Sequence, residues 1–322
     1  MKDIRLAYKD KIHTIPNRWD GITSGQYLNL VSDFLLMAAG KISVGEVRIN
    51  HLCNVMGWTK RRFRTEEQIA CLVAISEKLT FMFKINYPDN NMVLDGLSAD
   101  VYERCQRIDP YRLDIPLARL LRRMEYRYVV DLCFCKQLVP EISVNGETYQ
   151  GYSIDTGYGV LTCSLTALQY IEARELIERG DESLPLMAAI LYYPGKEYNS
   201  EHAHALAPKF AELPPHVLTA VSFNFQAFNN YLFTCTSFSL LSKFQPRKAS
   251  IITTDAADAL YDLSKEGLGD SRQIEQMNIL TYLKVLRKRT IDAVKELKGI
   301  GWDKVKISNE VGLPIHIIDD IL

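Results

Sequence analysis

The sequence has no surplus of either charge. Its 38 Lys and Arg stand against 39 Asp and Glu, a formal net charge of −1. That balance removes a global electrostatic pull towards nucleic acid or an anionic membrane and leaves only local patches to weigh. There is also no apolar run suited to lipid. Residues 217–242 carry no charge and are long enough to cross a bilayer. Asn224, Gln226, Asn229 and Asn230 fall in their middle, however, and each would be costly among acyl chains. The segment therefore reads as a buried or partner-facing helix, and no membrane partner is expected. The opening Met1-Lys2-Asp3-Ile4-Arg5 lacks the apolar stretch and cleavage site of a signal peptide.

Signatures of catalysis are missing too. Pro194-Gly195-Lys196-Glu197 has neither the upstream glycine nor the Ser/Thr after lysine of a phosphate-binding loop, and Gly157-Tyr158-Gly159 is a lone G-x-G that reads as a turn. There is no G-x-S-x-G elbow. His202 and His204, two apart, would point to nearly opposite sides of a helix and not grip one ion. Glu172, Glu175 and Glu178 form a carboxylate row that reads as a solvated face, with Arg174 placed to pair with Glu178. Cys53, Cys71, Cys105, Cys133, Cys135, Cys163 and Cys235 are scattered, and Cys133-Phe134-Cys135 has the wrong spacing for C-x-x-C chemistry. They read as reduced, buried thiols. No catalytic residue, metal or cofactor is expected, so the chain reads as a non-enzyme; an enzyme with an unfamiliar site stays as an alternative.

What is present is a globular composition, 47% hydrophobic and 24% charged, which supplies a substantial core. Residues 4–15 form apolar strands around a Lys9-Asp10 tip, as a hairpin does. Thr23-Ser-Gly-Gln26 is a capping box that opens a helix through Tyr27, Leu30, Val31 and Phe34, stopped at Gly40. Ser43-Val-Gly-Glu46 opens a second helix, which ends at Gly57, and Thr65-Glu-Glu-Gln68 a third, running towards Phe83. About 140 residues on, the same order returns. Asn145-Gly146 marks a hairpin, Leu165-Thr-Ala-Leu-Gln-Tyr170 parallels Ile22-Thr-Ser-Gly-Gln-Tyr27, Gly180 closes the helix, and a second helix ends at Pro194-Gly195. An internal duplication accounts for this; coincidence of common local motifs is the alternative. Beyond, residues 245–248 read as a connector, and helices are expected over 255–266 and 271–298. The expected fold is mainly α with small β-hairpins (α+β), a duplicated hairpin-plus-helices unit followed by a helical C-terminal region. Its segments are 1–138, 139–244 with the long aromatic helix, and 245–322.

Three features point to partners. Lys60, Arg61, Arg62 and Arg64 alternate with Trp58 and Phe63, a mixture able to hold phosphate and stack on bases. Arg119, Arg122, Arg123 and Arg127 gather on a second stretch, expected to be one helix, beside Tyr126 and Tyr128. For each cluster the plainer reading is a charged exterior that complements acidic neighbours. The uncharged helix carries Phe223, Phe225, Phe228, Tyr231, Phe233 and Phe238 on several sides, which implies burial either within the chain or against other subunits. At the C-terminus, 304–312, Gly312-Leu313-Pro314 and 315–322 have the outline of a helix-turn-helix, but Asp319-Asp320 stand where a groove reader needs cations. A tail docking on a partner or on its own domain fits better.

The stretch Ile15-Pro-Asn-Arg-Trp19-Asp-Gly-Ile-Thr23-Ser-Gly-Gln26-Tyr27, with the later helix 165–170 and Leu191-Tyr-Tyr-Pro194, resembles the uncharacterised phage and prophage proteins of gut Bacteroidota. Such proteins are commonly associated with virion or tail assembly. The resemblance implies a phage structural or assembly protein, a virion component or tail-assembly chaperone, acting through protein–protein contacts. Its partners would be other virion or assembly proteins, or further copies of itself, and its place the host bacterial cytoplasm or the virion. It implies no catalytic residue. A nucleic-acid-associated accessory protein using the two basic clusters is the alternative.

Overall fold

The computed structural model describes residues 2–88, 94, 96–243 and 270–322. The expected connector at 245–248 and helix at 255–266 lie outside them. The fold is mainly helical, with four two-stranded antiparallel sheets among the described residues. It divides into two compact units, Met1–Leu132 and Cys133–Leu322. The segments expected from the sequence end at 138 and 244; residues 133–138 and the described C-terminal helices belong to the second unit.

The first unit opens with strands β1 (Ile4–Tyr8) and β2 (Lys11–Ile15), paired from Ile4↔Ile15 to Tyr8↔Lys11. Lys9 and Asp10 at the tip both take positive φ, which a two-residue turn between right-twisted strands demands. Helix α1 (Ser24–Ala38) follows a complete capping box: Gln26 N–H donates to Thr23 Oγ1, and Thr23 N–H donates to Gln26 Oε1. Tyr27, Leu30, Val31 and Phe34 form its buried stripe. Helix α2 (Val44–Met56) repeats the device with Ser43 and Glu46 and ends at Gly57 in the left-handed region. Helix α3 (Glu66–Ser76) repeats it with Thr65 and Gln68.

Helix α3 stops at Ser76, short of the expected run to Phe83. Phe83 instead begins strand β3 (Phe83–Asn86), which pairs antiparallel with β4 (Arg127–Val130). Helix α4 (Ala99–Arg107) and the single turn α5 (Ala118–Leu121) lie between these strands in sequence. The expected arginine helix is thus replaced by a turn and a strand. Tyr126-Arg-Tyr-Val-Val130 is rich in β-branched and aromatic residues, and its partner strand decides its state.

The second unit begins with strands β5 (Glu141–Val144) and β6 (Glu147–Gln150), joined by Asn145 and Gly146, both at positive φ as a type I′ turn requires. A short ribbon of β7 (Ile154–Asp155) and β8 (Thr162–Cys163) intervenes before helix α6 (Ala167–Leu176). Thr166 and Gln169 cap α6 with another complete box. Helix α7 (Leu184–Leu191) has no side-chain cap; the Ser183 hydroxyl turns back to the carbonyls of Leu176 and Gly180. Helices α8 (Ser200–Phe210) and α9 (Pro215–Cys235) follow, and after residue 269 come α10 (Ser271–Glu275), α11 (Ile279–Gly299), α12 (Lys304–Val311) and α13 (Ile315–Ile321). The terminal helices close on their own small core of Val294, Ile307, Leu313 and Ile318, with Leu240 packed against it. The tail docks within its own unit.

Candidate functional site

Pro214-Pro215 starts α9, and the resulting helix is the spine of the second unit. Phe225, Phe228 and Phe238 are buried, so at these three rings the burial expected of the aromatic run is within the chain and not against other subunits. Their apolar area is already consumed by the unit's own core, as a helix apolar on several sides requires. Phe223, Tyr231 and Phe233 are half-buried. The polar residues inside the uncharged run have partners. Asn224 Oδ1 accepts from Leu138 N–H at 2.6 Å and its Nδ2 donates to the Lys136 carbonyl at 3.0 Å, while Asn229 accepts from the Tyr170 hydroxyl. Of the described helices, none is long and apolar enough to cross a membrane.

Arg174 does not pair with Glu178 as its spacing suggested. Its guanidinium lies 5.3 Å from the Phe233 ring, and the ion pair of that row is Arg179–Glu175 at 3.9 Å. The row is otherwise the solvated face expected, except that Glu172 accepts a hydrogen bond from the buried Tyr198 hydroxyl.

An open groove of about 710 Å³ runs along α11. Leu286, Thr290, Ala293, Leu297 and Ile300 make its floor, with Leu241 and Val311 at its sides. The floor residues alternate in steps of four and three, the spacing of a coiled-coil seam. Arg289 and Glu296, each one position before a floor residue, occupy places where such seams carry their charges. Ile300 is 69% exposed. The groove is not legible in the sequence, because an apolar stripe on one helix reads the same whether its cover comes from the same chain or another.

In the first unit, Lys60, Arg61 and Arg62 form a single helical turn and Arg64 follows it; all four are exposed. Arg62 donates to the Tyr8 hydroxyl and lies 5.4 Å from the Tyr8 ring centre. Among the described residues, Lys60, Arg61 and Arg64 meet no carboxylate within ion-pair distance. Behind the turn is a cleft of about 440 Å³ walled by Tyr8, Trp58, Phe63, Leu72 and Ile75, where Trp58 meets Tyr8 and Phe63 edge-on at 5.1 and 5.4 Å. Cation and aromatic are therefore together, as the sequence indicated.

The second arginine cluster is broken up. Arg122 is spent on structure, donating from Nε to the Pro110 carbonyl at 2.8 Å and stacking on Tyr111. Arg119, Arg123 and Arg127 are exposed, on the α5 turn, the residues after it and β4.

A buried polar group in the first unit went unseen in the sequence. Asp131 is ion-paired with Arg107 at 2.5 Å and Lys84 at 2.8 Å, and its carbonyl accepts from the Trp19 indole at 2.9 Å. Arg48 is buried between the Phe83 and Tyr128 rings, at 5.7 and 5.4 Å, and desolvation pulls its pKa down. His51 is buried against Phe81, with no hydrogen-bond partner on Nε2, and burial pushes its pKa down to about 4. Arg48 and His51 sit on the inner face of α2, but nothing in their local sequence separates them from surface residues. His202 contacts the Tyr193 hydroxyl at 3.1 Å through Nδ1, and His204 is exposed. Among the described residues, no group of three or more His, Cys, Asp or Glu is placed to hold a metal ion.

No family model matches the chain, and no curated protein and no solved structure matches it either.

Proposed function

We propose that the chain is a non-enzymatic structural or assembly protein of a phage particle, a virion component or tail-assembly chaperone, acting through protein–protein contacts in the host cytoplasm or the virion. The observation that carries this reading is the α11 groove. Its floor has coiled-coil spacing, charges flank it at the matching positions, and its length suits an amphipathic helix of a partner protein laid into it. The resemblance of residues 15–27 to phage proteins supplies the setting. The shared hairpin, capping box and buried tyrosine (Tyr27, Tyr170) support the companion reading that the two openings are copies of one ancestral unit.

The test is association of the full chain with virion or assembly proteins during particle production. The wild type is expected to co-purify in stoichiometric amount with one such protein. Ile300→Asp, a change at an exposed side chain, is expected to abolish this while leaving circular dichroism and melting unchanged. A second copy acting as the partner would show as a dimer of the isolated chain by light scattering.

A second reading has its own observation, the exposed cations of 60–64 beside the Trp58–Phe63 cleft. They would serve an accessory protein that touches single-stranded nucleic acid by phosphate contact and base stacking. It predicts salt-dependent binding of an oligonucleotide, lost in Lys60→Ala/Arg61→Ala/Arg64→Ala.

A further inference from the structure

The seven cysteines divide by environment, and the division departs from the uniformly buried thiols the sequence suggested. Cys53, Cys105 and Cys163 are buried, and burial pushes their thiols up in pKa, Cys163 to about 12. Such thiols are inert. Cys71 and Cys235 are exposed, and Cys133 and Cys135 are half-exposed. Among these, Cys133 and Cys235 come together: their sulfurs are 3.9 Å apart, although 102 positions separate them in the chain. Both also contact the Thr234 hydroxyl, at 3.3 and 3.4 Å.

This meeting is enforced by the fold. Residues 133–138 are laid along α9 by three hydrogen bonds. Phe134 N–H donates to the Ala227 carbonyl, Leu138 N–H to Asn224 Oδ1, and Asn224 Nδ2 to the Lys136 carbonyl. Cys235 is the last residue of that helix, so the register that seats Asn224 also sets Cys133 beside Cys235. A disulfide needs a sulfur separation of about 2 Å, so the two sulfurs have to approach by about as much again.

We propose that Cys133 and Cys235 are a redox-sensitive modification site, closing to an intramolecular disulfide when the protein meets a small disulfide oxidant such as oxidised glutathione. The more exposed Cys235 thiolate attacks one sulfur of the oxidant, forming a mixed disulfide and expelling one glutathione thiolate. The Cys133 thiolate then attacks Cys235 Sγ, forming the Cys133–Cys235 bond and expelling the second glutathione thiolate. The two leaving thiolates take up the two protons given up by the protein thiols. The protein loses two electrons and the oxidant gains them. The closed bond pins the start of the second unit to the end of α9 and closes a loop on the order of 100 residues, a length at which a cross-link constrains the unfolded chain strongly.

The test is peptide mapping of the full-length protein after graded exposure to oxidised glutathione and alkylation of remaining thiols. The first product expected is a monomer that has lost two thiols and yields one cross-linked peptide pair containing Cys133 and Cys235. Its melting temperature is expected to rise by several degrees and to return on reduction. Cys133→Ser and Cys235→Ser should each abolish the product, whereas Cys71→Ser should leave it unchanged. Persistence of both thiols in excess oxidant, or a first disulfide elsewhere in the wild-type map, would overturn the proposal without reference to any variant.

Discussion

The two units bury polarity in different currencies. The first encloses ionisable groups: Asp131 with Arg107 and Lys84, Arg48 between two rings, and His51 against Phe81. The second encloses neutral ones: Tyr192 donating to the Val139 carbonyl at 2.5 Å, Tyr170 donating to Asn229, and Asn224 bridging Leu138 and Lys136. A buried charge is costly to strand but loses its meaning when protonation changes, whereas a buried hydroxyl or amide is indifferent to pH over the physiological range. The first unit should therefore be the one that fails in acid and the one least tolerant of losing a single charged partner.

The largest effect is expected at Asp131. Asp131→Ala leaves Arg107, whose side chain is 13% exposed, without its closest counter-charge. A loss of about 3 kcal/mol or more is expected from the first unit, with hydrogen exchange in α6–α9 unaltered. Equal loss of protection in both units would dissolve the distinction between them.

Acid provides the next test. The His51 imidazole has a folded pKa of about 4, below the ordinary 6.5, so the unfolded chain binds the proton more readily. The stability of the neutral form is intact above pH 6.5 and is lost as pH falls from 6.5 towards 4, by up to about 3 kcal/mol. His51→Gln should flatten the pH dependence of first-unit stability across that window. An unchanged slope would show that other groups set it.

In the second unit the corresponding probe is Asn224→Ala, which removes the bonds that Asn224 makes to the Leu138 N–H and the Lys136 carbonyl. Urea unfolding is expected to show a loss of about 2 kcal/mol that does not vary between pH 4 and 7. The smallest contrast lies between the capping boxes of α1 and α6. Gln26 only closes its box, whereas Gln169 also donates to the Ile190 carbonyl of α7 at 3.0 Å. Gln169→Ala should cost about 1 kcal/mol more than Gln26→Ala in melting experiments.

The capping boxes show how much of the fold the sequence displayed. Thr23, Ser43, Thr65 and Thr166 each announced a helix start, because the bonds that satisfy those ends are local. The Asn145-Gly146 hairpin was visible for the same reason. Strand β4 was not, since residues 127–130 become a strand only by pairing with 83–86, a contact no local pattern encodes. The cationic turn at 60–64 and its aromatic neighbours were legible as a composition, and folding brought Tyr8 to them from a distant hairpin. The α11 groove was not, because Leu241 and Val311 reach its edges from elements remote in sequence. Nor was the Cys133–Cys235 meeting, which depends on how 133–138 lies along α9.

The proposed partner helix would lie in the α11 groove. The most direct measurement is hydrogen exchange across α11, compared between the isolated chain and the chain recovered from particle-producing cells. Slowed exchange over Leu286–Ile300 in the recovered sample, absent for Ile300→Asp, is the predicted result. Recovery of the chain as a partner-free monomer, with α11 exchanging as it does in isolation, would contradict it.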